Sequence, residues 1–128
     1  MKVSYVDTSA AMKLVVDEPE SAPLAQALAS DRRLVASWLL HTELHCAAGR
    51  RPRDVNLAAV QAVLNTINLV DLTRGDMLAA GMHAPLRSND AIHLAVAIRL
   101  GTDEMATYDG ELADAAKAAG LAILAPDA

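Results

Sequence analysis

Four acidic residues stand where an acid is awkward, and together they suggest one chemistry. Asp7 follows the apolar segment 3–6 and precedes Thr8-Ser9, so it falls between a strand and a helix start. Ligands of parallel α/β sheets collect at the carboxyl ends of strands, and aspartates there also cap helices; the position of Asp7 suits both uses. Glu43 has Leu39, Leu40, Cys46 and Ala47 as its helical neighbours three and four residues away. A carboxylate on an apolar face is costly unless it is paired, protonated or bound to a metal. Asp90 opens a helix that is apolar on nearly all sides and therefore central, so its first turn points into the body of the fold. The plainer use of this acid is a favourable charge against the helix dipole, worth about 0.3–1 kcal/mol. Asp109 follows segment 104–107 as Asp7 follows 3–6, and it also precedes Gly110 as turn aspartates do. Gathered in one place, four carboxylates repel one another and raise each other's pKa. Hard divalent cations relieve that repulsion, and all-oxygen ligation selects Mg²⁺ or Mn²⁺ over zinc. The chemistry that uses such a site is hydrolysis of a phosphodiester.

The elements that must position these acids alternate in type. Strands are expected at 3–6, 34–36, 68–72, 104–107 and 122–124, from short β-branched or apolar runs closed by turn residues. Helices are expected from a cap at Thr8 or Ser9 to Pro19, then over 21–29, 38–48, 57–66, 76–83, 89–100 and 112–119. Ser37 is the expected cap of the third, Gly49 its stop, and Ser88 the expected cap of the helix carrying Asp90. Short strands alternating with helices predict an α/β fold with a central, mostly parallel sheet.

The chain has 128 residues, which reads as one domain spanning 1–128. With 53% hydrophobic and 21% charged residues it can fold around a core without staples. A single cysteine, Cys46, excludes a disulfide framework and a cysteine-cluster metal site. Aromatic residues are Trp38, Tyr5 and Tyr108 alone, too few for a surface that stacks several bases. Net charge is −5, which by itself argues against gripping nucleic acid by bulk charge. One or two divalent cations at the four acids would leave about −3 or −1, with basic residues free to form local patches. Arg50, Arg51 and Arg53 are the densest of these; they suit either helix-end charge compensation or contact with RNA. No segment is long and apolar enough to span a membrane, and the N-terminus lacks a signal-peptide core, so the expected location is cytoplasmic.

Two features mislead. His41-Thr42-Glu43-Leu44-His45 is not a zinc-protease motif, because that motif needs its Glu directly after the first His. His93 lies one turn after Asp90, where it can orient that carboxylate or serve as a satisfied core histidine.

Four stretches then resemble the motifs of PIN-domain nucleases, and among them the VapC-type ribonuclease toxins of bacterial toxin–antitoxin pairs. They are Val6-Asp7-Thr8-Ser9-Ala10, Thr42-Glu43, Asn89-Asp90-Ala91-Ile92-His93-Leu94-Ala95 and Thr107-Tyr108-Asp109-Gly110-Glu111-Leu112. Ala119-Gly120-Leu121 followed by Pro126 resembles the family's closing strand. The resemblance implies a three-layer α/β/α PIN-like fold and an endoribonuclease dependent on Mg²⁺ or Mn²⁺. Asp7, Glu43, Asp90 and Asp109 would be its metal-binding and catalytic acids. Thr8, Ser9 and Thr107 would be hydroxyls that orient carboxylates or bound water. It further implies a homodimer held inactive by a cognate antitoxin. The competing expectations are a housekeeping RNA-processing or DNA-cleaving PIN nuclease, and a degenerate PIN-like binding module. A phospho-acceptor domain fits poorly, since Asp7 has no acidic neighbour and no Lys follows 104–107.

Overall fold

The computed structural model describes residues Met1–Ala128. Five strands form one sheet: β1 (Lys2–Val6), β2 (Arg32–Ser37), β3 (Asn68–Val70), β4 (Glu104–Ala106) and β5 (Ala122–Leu124). All four pairings are parallel, in the order β3-β2-β1-β4-β5. Seven helices connect them: α1 (Thr8–Val15), α2 (Ser21–Leu28), α3 (Trp38–Arg50), α4 (Leu57–Leu64), α5 (Arg74–Ala80), α6 (Ser88–Arg99) and α7 (Gly110–Ala118).

The order explains the layers. The chain steps outward from β1 to β2 to β3, then returns across β1 to β4 and β5. Parallel crossovers are right-handed, so the outward and returning helices fall on opposite faces. Accordingly α1, α2, α3 and α4 pack with one another, and α6 packs with α5 and α7. The main core lies between these layers around Tyr5, Val6, Leu40, Leu44, Leu94, Met105 and Leu112. The reversal places a crevice at the carboxyl ends of β1 and β4, where open α/β sheets bind ligands.

Several element ends differ from the sequence expectation. Asp7, not Thr8 or Ser9, caps α1, its side chain accepting from the Ala10 N–H. The helix of Glu43 runs through Gly49 to Arg50 and ends before Pro52, whose ring cannot continue it. Ser88 is already helical, and the cap position of α6 is Arg87, whose side chain makes no capping bond. Thr73 caps α5 through a reciprocal box with Asp76, so the helix begins at Arg74, two residues before the expected start. Strand β4 stops at Ala106, which frees Thr107 to turn toward Asp7.

Candidate active site

Each of the four acids reaches the crevice from a different element. Asp7 ends β1 and is 2% exposed. Its carboxylate accepts from Thr107 Oγ1 at 2.6 Å, Ser9 Oγ at 2.8 Å and the Ala10 N–H at 2.9 Å. Burial raises its pKa, and these hydrogen bonds, led by that of Thr107, oppose the rise. Asp109 caps α7 through Oδ1 and the Leu112 N–H, and its own N–H is held by Thr107 Oγ1 at 3.1 Å. Thr107 thus fastens two acids at once, and Ser9 Oγ accepts the Tyr108 N–H at 2.8 Å to brace the same turn.

Glu43 rises from α3, with Oε1 accepting from Thr8 Oγ1 and Oε2 from Asn89 Nδ2. Burial works against its ionised form. The contact with His93, then the hydrogen bonds of Thr8 and Asn89, together outweigh burial and hold its pKa below the ordinary value. Asp90, in the first turn of α6, is the contrasting case. Burial, then the charges of Asp109 and Asp7, push its pKa up to about 6, and no hydrogen bond acts to lower it.

A cleft of about 430 Å³ holds all four carboxylates, with Thr8 and Ser9 beside them and no hydrophobic residue in its wall. The structure therefore brings together Asp7, Glu43, Asp90 and Asp109. Thr8 is placed on Glu43, and Ser9 and Thr107 on Asp7. Four further residues line or support the cleft. Arg87, Ser88 and Asn89 form part of its wall, and Arg87 is its one basic side chain. His93 bonds Glu43 and Tyr5 and not Asp90, so of its two expected uses the structure gives it that of a buried, satisfied histidine. The signal for Arg87 and Asn89 was their place beside Asp90 in the sequence; nothing local marked the pairing of His93 with Glu43.

His41 and His45 do share a face of α3, their rings stacked at 4.1 Å, and His45 meets the His41 carbonyl and Gln61. This face lies away from Glu43, since about 200° separates Glu43 from either histidine around the helix.

The donor set is one of carboxylates, hydroxyls, an amide and a guanidinium, with no sulfur and no free imidazole. No three acidic or imidazole side chains converge into a ready-made metal cage. An open oxygen set suits Mg²⁺ or Mn²⁺, which bind through few carboxylates and retain waters. The raised pKa of Asp90 points the same way: burial first, then the charges of Asp109 and Asp7, disfavour its ionised form, and a nearby cation would favour it.

Comparison with known proteins agrees with this geometry. The PIN domain family model matches residues 4–118. The chain is 39% identical to ribonuclease VapC46 of Mycobacterium tuberculosis, over 98% of this chain and 99% of the relative. It is 38% identical to ribonuclease VapC35 of the same species, over 95% and 96%. Among solved structures, M. tuberculosis VapC20, a toxin that cleaves the sarcin–ricin loop, superposes with a TM-score of 0.75 at 20% identity, covering 96% of this chain and 99% of that one. VapBC2 of Rickettsia felis, solved with a DNA fragment of its promoter, superposes with a TM-score of 0.68 at 12% identity, over 95% and 97%. At these identities the structural likeness concerns the fold alone. By the family match and by its curated relatives, the chain belongs to the PIN-domain family.

Proposed function

We propose that this chain is a divalent-metal-dependent endoribonuclease, the toxin of a toxin–antitoxin pair, acting in the cytoplasm. PIN-domain ribonucleases generally depend on divalent metals. The observation that carries the reading is Asp90: a carboxylate with no hydrogen-bond donor, set among like charges in a wholly polar cleft. A carboxylate is left in that state at a cost, and the cost is recovered when a cation binds.

Asp7, Glu43, Asp90 and Asp109 would hold Mg²⁺ or Mn²⁺. When bound, the cation supplies acidified water and offsets the charge that grows on the phosphate. The residues of the chain do the rest. Thr107 and Ser9 keep the Asp7 carboxylate fixed, and Thr107 also holds the Asp109 backbone, so two acids keep a constant separation. Asp109 lines the cleft and has Oδ1 committed to its helix. Arg87 is exposed at the rim and takes part in none of the molecule's ion pairs, so its guanidinium is free to grip the phosphate of the RNA strand.

A homodimer and a small cognate antitoxin complete the proposal. The curated relatives are named ribonuclease VapC, and a further structural neighbour is a toxin–antitoxin complex from Klebsiella pneumoniae. No helix is long and apolar enough to cross a membrane. The test is cleavage of a total RNA pool by purified protein with Mg²⁺ or Mn²⁺ and with EDTA, beside identically purified Asp90→Asn protein. Metal-dependent fragments from the wild type alone are expected. Equal cleavage by both proteins would remove Asp90 from the site. Absence of both cleavage and metal binding would leave an inactive binding module.

A further inference from the structure

A chain of hydrogen bonds runs through the interior beside β1 and β2 and ends on Glu43. The Ser37 N–H donates to the Tyr5 hydroxyl oxygen at 3.2 Å. That oxygen lies 2.7 Å from His93 Nδ1, and His93 Nε2 lies 2.6 Å from Glu43 Oε1. Tyr5 is fully buried and His93 is 1% exposed.

Counting protons fixes the direction of the chain. The Tyr5 oxygen accepts from Ser37, so its own proton goes to its remaining partner, His93 Nδ1. Nδ1 is then bare, and the imidazole proton sits on Nε2, where it is given to Glu43. The opposite tautomer would set a bare Nε2 2.6 Å from a carboxylate oxygen, since the Thr8 hydroxyl, 3.2 Å from Nε2, has its one proton on that same carboxylate; an imidazolium would orphan the buried Tyr5 proton. Thr8 Oγ1 donates to the same Glu43 oxygen at 2.6 Å. Oε1 therefore holds two short donors, whereas Oε2 meets only Asn89 Nδ2 at 3.3 Å.

We infer that Tyr5 and His93 are positioning residues that lock the Glu43 carboxylate, turning Oε1 into the protein and presenting Oε2 alone to the cation. The inference rests on the metal-nuclease reading above and gives Glu43 a single-oxygen contact. It also gives α6 two roles at the site. The helix supplies Asp90 directly and, one turn later, supplies the group that aims an acid on α3. Partners of this kind ordinarily change metal affinity by ten- to a hundredfold.

The experiment measures Mn²⁺ affinity of the wild type, His93→Ala, His93→Gln and Tyr5→Phe by electron paramagnetic resonance, with histidine tautomers read by ¹⁵N NMR on the same metal-free proteins. His93→Ala is expected to weaken Mn²⁺ binding by about ten- to a hundredfold. His93→Gln keeps an N–H donor near the position of Nε2 and is expected to recover most of that loss. Wild-type His93 is expected to show the proton on Nε2, and Tyr5→Phe to yield a tautomer mixture with weaker Mn²⁺ binding. Equal Mn²⁺ affinity in the Ala and Gln variants, or a wild-type proton on Nδ1, overturns the lock. Should His93→Ala fail to fold, Tyr5→Phe carries the test, because it leaves the imidazole in place. A wild type that binds no Mn²⁺ overturns the metal reading instead, and the tautomer spectrum still decides whether the lock exists.

Discussion

Asp90 is the residue at which charge, pH and metal meet. Its pKa in the fold, about 6, lies above the ordinary 3.8 because burial and the charges of Asp109 and Asp7 disfavour the ionised form. The folded state thus binds its proton more tightly than the unfolded chain does. The stabilising contribution of protonated Asp90 is full below about pH 3.8 and is lost as pH rises through about 6. Asp90→Asn removes the ionised group without changing shape, so in metal-free buffer at pH 7 it should be more stable than the wild type. After allowance for solvent screening of this half-buried group, the gain is about 1 kcal/mol, a few degrees in Tm. The difference should vanish near pH 4 in a thermal melt followed across pH. A cation must displace the same proton, so Mn²⁺ should bind about tenfold more weakly at pH 5 than at pH 7, as calorimetry at the two pH values would reveal. Arg87 belongs to the same scale. Arg87→Ala should lower kcat/KM for RNA by roughly ten- to a hundredfold, the worth of a charged hydrogen bond to phosphate. Mn²⁺ affinity should stay unchanged in that variant, and a joint loss of both would make Arg87 a support of the acids instead.

Among the elements, α6 brings Ser88, Asn89 and Asp90 to the cleft and lies deep in the fold, with Leu94 fully buried in the main core. Leu94→Ala should cost about 2–5 kcal/mol in urea unfolding and raise the Mn²⁺ requirement only as far as the helix shifts. The course of this helix and of the strands was readable from the chain because each signal is local. An apolar run ends in Asp7, another precedes Asp109, and β5 falls on residues 122–124 as expected. The anomaly of Glu43 among apolar helical neighbours was also readable, but its resolution was not. The donors that satisfy it come from Thr8, Asn89 and His93, residues 35, 46 and 50 positions away. Helical spacing allowed His93 to orient Asp90 or to be a satisfied core histidine; it is buried with both nitrogens bonded, and its partner Tyr5, 88 positions distant, is set by packing across the sheet. Asp7 caps α1 with one oxygen while the other takes the Thr107 hydroxyl beside the cleft, so capping leaves the acid at the strand end where a site residue would stand. Gly49 and Ser88 misled for a common reason. Both types mark helix ends on average, and tertiary packing carried the helix past each.

For the molecule as a whole, the arrangement reconciles an acidic chain with a nucleic-acid substrate. Most of the negative charge that matters is gathered in one polar cleft where a cation can offset it, and the exposed arginines lie outside it or, like Arg87, at its rim. On the proposed reading the cation should bind only the folded chain, since the acids of the cleft come from positions 7 to 109. At Mn²⁺ near a hundred times its Kd, stabilisation of about 2.7 kcal/mol is expected, on the order of 10 °C in Tm, and EDTA should abolish it. A melt indifferent to both would show that the acids hold no cation.

The pairing of β1 with β4 joins Ser4 to Glu104, a hundred positions apart. Synthesis starts at the end that bears Asp7, and Asp109 comes late among the 128 residues. Until β4 has emerged and docked beside β1, Thr107 cannot hold Asp7 and the fourth acid is missing. The four acids therefore come together only after strands a hundred positions apart have joined, so the cleft is a product of long-range folding and no local segment carries it.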